Sequence, residues 1–344
     1  GRAITIEGNP QHPVNRGRLC ARGITVQQGL YNPDRVIGPM IQARGDTGKQ
    51  APISWDDALN IVRDALGKPG NQIAFLLGSS PDHLFDLVSE LSETIGASAP
   101  VRYSALTSFE GRATLQEAAN RVFGKAAVPF FDLANAEIVF SFGASFLETW
   151  LSPVTYATAY GDMRQARPTR RGYLVAFEAR QSMTAGNADE WIPIRPGSEG
   201  LVAHALSQLV AVYRGQSSAG SADAAVSTAV AAAGIDGAKL ASLAQMFAGS
   251  DHSIAIPGGS AIGQANGLAV AQSILQLNAQ VANLGVPGGV YLTNIEGSTA
   301  NFKNVNELVE RMNSGQVQVL FVHGVNPVFE LPGTLGFEQA LTKV

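Results

Sequence analysis

The sequence predicts an α/β fold built on parallel, doubly wound sheets. Three observations carry that prediction. Five apolar runs, "QIAFLLGSS", "AEIVFSFGAS", "GYLVAFEAR", "HSIAIPGGS" and "VQVLFVHGVNP", have the length and composition of strands buried on both faces. Long segments with helical apolar spacing separate them, as strand–helix alternation in a parallel sheet requires. Four of the five runs lead into Gly or Ser and the fifth into Glu178, so the residues suited to ligands fall at the carboxyl ends of strands.

Taken in order, "GRAITIEGN" reads as a strand inside a domain. In "ISWDDALNIVRDALG", Ser54 is placed to cap a helix with an acidic first turn, and Ala58, Leu59, Val62, Ala65 and Leu66 recur at helical spacing. "PDHLFDLVSELSETIG" follows the first buried strand as a second helix. "GLVAHALSQLVAVYRG" and "GLAVAQSILQLNAQVANLG" supply two more. Between them, residues 214–239 are rich in Ala, Ser and Gly and poor in large apolar residues. That composition reads as a surface excursion or weak helix and as a boundary between two lobes.

Composition narrows the function classes. The chain has 344 residues, 45% hydrophobic and 15% charged, with a formal net charge of −4. That length accommodates two or more cores. The charge gives no electrostatic reason to expect nucleic acid or anionic lipid, and no apolar run approaches the ~20 residues of a membrane span. A single cysteine, Cys20, makes no internal disulfide. The first residues start as if inside a domain and the last stop straight after a helical pattern, so the expectation is a segment of a longer chain.

Local motifs alone say little. "SFGAS" (Ser141–Ser145) and "HGVNP" (His323–Pro327) each set a Gly where backbone approaches a phosphate, although a tight turn explains such a Gly equally well. Glu178 sits where dinucleotide folds hold a ribose hydroxyl, or where a surface ion pair would sit. There is no GxGxxG, no GxxxxGK[ST] and no GxSxG. The histidines, His12, His83, His204, His252 and His323, show no metal-ligand spacing and read as structural. Asp56–Asp57 and Asp189–Glu190 read as a helix start and a turn.

The arrangement of segments is more specific. "GNPQHPVNRGRLCARG…LYNPDRVIGPM" followed by "ISWDDAL" closely resembles the start of molybdopterin oxidoreductases of the dimethyl-sulfoxide-reductase family, and the resemblance continues across essentially the whole chain. It implies two Rossmann-like, doubly wound lobes and a remnant N-terminal cluster-binding subdomain. In that family the Cys matching Cys20 is the last of four ligands to a [4Fe–4S] cluster, and the residue matching Arg22 lies between cluster and pterin. Gly143, and Gly324 with Asn326, match the strand ends that cradle the phosphates of the pterin guanine dinucleotide. Glu178 and Glu199 match positions near its guanosine.

Departures from the family pattern shape the functional expectation. Cys20 has no companion thiol in this sequence. The molybdenum ligand should fall in "TSFEGR" (Thr107–Arg112), which offers only Ser108 or Glu110, each by a slipped register. "FGASFLETWLSP" lacks the usual Asn-Pro and brings Phe146, Leu147 and Trp150 into the approach. With "FEARQSMTAGNAD", this segment looks most like one branch, the B subunit of bacterial alternative complex III. The resemblance implies a peripheral domain on the extracytoplasmic (periplasmic) face of a membrane quinol oxidoreductase. It would be a scaffold that has lost its cofactor, with the matched positions vestigial. Its neighbours would be a multihaem cytochrome c, integral quinol-binding subunits and a ferredoxin-like domain carrying [4Fe–4S] and [3Fe–4S] clusters. The alternative is a fragment of a catalytic molybdenum or tungsten bis-pterin oxidoreductase of polysulfide, thiosulfate or formate type, holding molybdopterin guanine dinucleotide. The expected layout is residues 1–50 as cluster-domain remnant, 51–106 with 248–344 as first lobe, and 107–247 as second lobe. It requires Ile73–Leu77 and Ile254–Ile256 to share a sheet.

Overall fold

The computed structural model describes residues 2–42, 48, 50–105, 108, 110–165, 171–292 and 302–344. Along the chain, a short antiparallel ribbon of β1 (Met40–Gln42) and β2 (Gln50–Pro52) precedes α1 (Trp55–Leu66), β3 (Ile73–Leu77), α2 (Asp82–Ile95) and β4 (Val101–Arg102). Then come α3 (Arg112–Phe123), β5 (Pro129–Phe131), β6 (Ile138–Phe142), α4 (Pro153–Gln165), β7 (Tyr173–Phe177) and β8 (Glu190–Ile192). Next are α5 (Glu199–Tyr213), α6 (Gly220–Ala233), α7 (Gly237–Ala248), β9 (Ser253–Pro257), α8 (Gly267–Gln280) and β10 (Val290–Leu292). The last long elements are α9 (Phe302–Asn313) and β11 (Val319–His323). The five apolar runs are the five long strands, and Ser54 caps α1 by accepting from the Asp57 amide. Residues 2–9, expected to open with a strand, contain none.

The chain divides into two units: Gly1–Glu7, Ala21–Leu106 and Gly297–Val344 in one, Gly8–Cys20 and Thr107–Glu296 in the other. In the first unit, β3 is the middle of a parallel sheet ordered β11-β3-β4. Its core gathers Leu76, Tyr103, Val305, Leu308, Met312 and Phe337. Phe75 stacks on Phe321 across the paired strands at 5.1 Å. The apolar positions of α1 do repeat at helical spacing, yet none of its residues is buried, and Trp55, Leu59 and Val62 are exposed.

The second unit has the larger core. Its sheet is parallel throughout, in the order β8-β7-β6-β9. Phe142 stacks on Phe177 at 4.6 Å and Phe140 packs against Phe247 at 4.8 Å. The order corrects the expected layout. Ile254 pairs with Val139 of β6, whereas Ile73–Leu77 pairs with β11 and β4 in the other sheet. Residues 248–292 therefore belong with 107–247. The physical reason lies in β9, whose five residues are all buried and fill the open flank of β6 against α8. Within residues 1–50, Gly8–Cys20 group with the second unit, and the residues before and after them with the first. The Ala/Ser-rich stretch is no boundary. It forms α6, whose buried Ala222, Ala229 and Ala233 let it lie close on α5.

The outer flank of β9 is closed by side chains. Asn278 on α8 accepts from the Ala255 amide at 2.9 Å and donates to the Ala255 carbonyl at 2.8 Å. Asn283 donates to the Ser253 carbonyl at 2.7 Å and to Asn278 Oδ1 at 2.9 Å. All these groups are buried, so a missing partner costs more than a surface hydrogen bond would. Asn278→Leu keeps the volume and strands both Ala255 groups. We expect a loss of about 2–4 kcal/mol in denaturant unfolding; an unchanged midpoint would mean that β9 does not depend on this pair.

Candidate functional site

In both sheets the chain runs from a central strand to one side and later returns to the other. That reversal opens a crevice at the carboxyl ends, between β6 and β9 in the second unit and between β3 and β11 in the first. The glycines singled out from sequence lie there.

In the second unit, Gly143 follows β6 at φ +63° and Gly258–Ser260 follows β9. These turns close on one another. A Cβ on Gly259 would collide with the Gly143 carbonyl oxygen, and one on Gly143 would lie 3.0 Å from the Ala261 nitrogen and the Ser260 hydroxyl. A Cβ on Gly258 would lie 2.7 Å from Trp150 Cε2 and 2.8 Å from Ala144 Cβ. Trp150 and Phe146 are buried. The indole lies 6.0 Å from Phe131 and 5.8 Å from Tyr156, ring centre to ring centre. Its Nε1–H donates to the Glu110 carbonyl at 3.1 Å. These glycines thus serve chain-to-chain contact, and the ring fills the space beside them.

The segment expected to hold a metal ligand is also engaged. Thr107 and Phe109 lie outside the described residues, and Ser108 is exposed. Glu110 is buried, accepts from Arg112 Nε at 2.6 Å, and is pushed above the usual carboxylate range by burial against the pull of that guanidinium.

Glu178 and Glu199 do come together, on the wall of a cavity of about 380 Å³ beside Trp150. Glu178 follows β7 and accepts from the Ser182 hydroxyl at 2.9 Å. Glu199 opens α5, and its Oε2 is buried with no hydrogen-bond partner. Burial raises both carboxyls, against the Ser182 hydrogen bond in one case and backbone amides of Gly197 and Glu199 in the other. In the first unit, Gly324 follows β11 at φ +66°, and a Cβ there would meet only Ser80 Oγ, at 3.7 Å. Gly78 beside it could take no side chain without striking the Gly324 carbonyl oxygen. Asn326 caps the short helix Pro327–Glu330 by accepting from the Phe329 amide. Cys20 is half-buried, and Arg22 is exposed in the short helix Ala21–Thr25. Sequence reasoning missed the part played by Gly258–Ser260. "PGGS" was legible as a strand end, but its partner turn was not.

A molybdopterin oxidoreductase domain matches residues 35–343, and a molybdopterin oxidoreductase Fe4S4 domain matches residues 1–32. The chain belongs to the molybdopterin oxidoreductase family. Among curated relatives it is 27% identical to the menaquinone reductase, molybdopterin-binding-like subunit of Nitratidesulfovibrio vulgaris, over 100% of this chain and 52% of that protein. It is 30% identical to dimethyl sulfoxide reductase DmsA of Escherichia coli, over 57% of this chain and 25% of that protein. The chain therefore spans about half the length of the first relative and a quarter of the second. Acetylene hydratase from Pelobacter acetylenicus shares the fold, with TM-score 0.60 and 18% identity over 82% of this chain and 40% of that one.

The family's prosthetic groups can be tested against the residues present. A [4Fe–4S] cluster takes four thiolates and this sequence supplies one. In the β6/β9 crevice, the turns that would admit a pterin dinucleotide close on one another through Gly143, Gly258 and Gly259 beside Trp150, and the space left there is the cavity of about 380 Å³. The residues of the second unit do not fit that group, and no chemical step is derived through it.

Two outcomes follow. Gly258→Ala should cost about 1–3 kcal/mol by overpacking against the indole, with part recovered by adding Trp150→Leu; denaturant titrations of single and double variants check this. A carboxyl raised by burial weakens the fold at neutral pH, and that penalty disappears as pH falls through its folded value toward the usual ~4.3. Glu199→Gln should therefore be the more stable chain at pH 7, with an advantage that shrinks on acidification. Identical pH–stability curves would contradict the burial argument.

Proposed function

We propose that this chain is the molybdopterin-oxidoreductase-fold module of a membrane-associated quinol oxidoreductase of the alternative complex III type, and that within it the module is a scaffold and not a catalytic centre. The observation that carries the reading is the close packing at the carboxyl ends of β6 and β9, where the paired glycine turns meet and the Trp150 indole packs beside them. The match of this whole chain to about half of a relative named a molybdopterin-binding-like subunit of a menaquinone reductase supports it, since that name joins this fold to quinone chemistry. On this reading Cys20 and Arg22 are remnants of a cluster loop. Electrons pass through [4Fe–4S] and [3Fe–4S] clusters in a ferredoxin-like domain and through a multihaem cytochrome c, with integral quinol-binding subunits beneath. The module sits on the periplasmic face. No described helix is long and apolar enough to cross a membrane.

A second reading is a catalytic molybdenum or tungsten reductase. The specific observation in its favour is Gly324, which keeps a left-handed turn with open space before it, together with relatives named thiosulfate and dimethyl sulfoxide reductases.

The deciding measurement is molybdenum, tungsten and iron per copy of this chain in the purified complex, with a fluorescence assay for oxidised pterin. The scaffold reading expects neither molybdenum, tungsten nor pterin, and iron accounted for by other subunits. Stoichiometric metal with pterin would overturn it.

A further inference from the structure

Another cavity in the second unit, of about 480 Å³, lies away from the crevice. Asp132 and Asn135, which line it, precede the amino end of β6. One face of α4, Tyr291 of β10 and the loop of residues 8–17 complete the wall, and all of these belong to the second unit. The floor is aromatic. Phe130 and Tyr291 face each other across the antiparallel β5–β10 pair, so both side chains stand on the same side of it. The next pair, Phe131 and Val290, points the other way and is fully buried. Phe130 is 36% exposed and rests on Tyr156, ring centres 6.1 Å apart.

Around that floor stand groups of both signs that the fold does not use. Asp132 is engaged, taking Asn135 Nδ2 at 2.8 Å and the Gly288 amide at 3.0 Å. Asp162, half-buried on α4, and Arg16, exposed on the loop, make no side-chain hydrogen bond or ion pair among the described residues, and the Tyr291 hydroxyl makes none either. Thr158, one turn before Asp162, donates to the Val154 carbonyl at 2.9 Å, which leaves its oxygen able to accept. Arg16 is held in place by the backbone. It sits at φ +49°, in the left-handed region that a long side chain rarely adopts. The loop is pinned at its neck, where a Cβ on Gly8 would strike the Gly17 carbonyl oxygen. Glycine would satisfy the turn at Arg16 more easily but would bring no guanidinium to the cavity.

We propose that this cavity binds an α-amino acid with an apolar side chain, in its zwitterionic form. Arg16 takes the carboxylate, which its planar fork meets with two parallel hydrogen bonds. Asp162 takes the ammonium group, with the Thr158 and Tyr291 oxygens as further acceptors. The side chain lies on Phe130 and the Tyr291 ring, where apolar surface is now open to water. A ligand with a single charge engages one of the two ends and leaves the other to solvent, so the pairing of an unspent cation with an unspent anion selects the zwitterion. The volume is in the range of small-molecule sites.

The test is calorimetric titration of the full chain with L-phenylalanine at low salt and pH 7. One site is expected. Phenethylamine, which lacks the carboxylate, and phenylacetate, which lacks the ammonium group, should each bind at least about tenfold more weakly, as loss of a charge-assisted hydrogen bond implies. Arg16→Gly suits the left-handed turn and should keep the circular dichroism spectrum and unfolding midpoint, yet weaken phenylalanine about tenfold and leave phenethylamine unchanged. Asp162→Asn is the second variant and should do the reverse, weakening phenylalanine and sparing phenylacetate. No heat from wild type, or phenylalanine binding indifferent to both variants, would overturn the site. Phenethylamine or phenylacetate binding as tightly as phenylalanine would overturn the zwitterionic class. The cavity shares no residue with the glycine turns after β6 and β9, so the result does not depend on whether the protein carries pterin.

Discussion

The second unit depends on one close approach. The turn after β6 and the turn after β9 meet backbone to backbone, with Gly259 against the Gly143 carbonyl and Gly258 under the Trp150 ring. Side chains at these positions would hold the two turns apart, and the crevice that parallel topology creates would stay open. With glycines, the crevice becomes core. The indole then bridges three pieces of chain, stacking near Phe131 and Tyr156 while its N–H anchors Glu110. Glu110 in turn holds Arg112 at the first turn of α3.

That substitution has an electrostatic side. A parallel sheet gathers polar ends at one rim, and a bound anionic dinucleotide would dominate the field there. Here the rim of the second unit carries buried carboxyls whose charged forms are disfavoured by burial. Glu110 has a guanidinium and Glu178 has a hydroxyl; Glu199 has one oxygen left over.

Much of this was legible in the sequence. The five long strands are where continuous apolar runs place them, because a strand buried on both faces needs no alternation. Ser54 announced α1, and the large apolar Phe146 and Trp150 are buried. What could not be read was pairing. β9 looks as apolar as β3, and nothing in "HSIAIP" says which sheet it joins, since parallel partners are chosen by long-range packing. The boundary was misjudged for a related reason: an alanine-rich stretch resembles a linker by composition, yet small residues are also what a helix needs to lie close on another, as α6 does on α5. Gly143, Glu178 and Glu199 fell in one unit and Gly324 with Asn326 in the other, a division that single-residue motifs do not reveal.

Asn278 and Asn283 have a consequence beyond holding β9 in place. β9 ends its sheet, and a terminal strand ordinarily offers a row of free amides and carbonyls to any passing strand. Here Ala255 spends both groups on Asn278, and the Ser253 carbonyl is taken by Asn283. Those three groups are thereby withheld from any strand of a second chain.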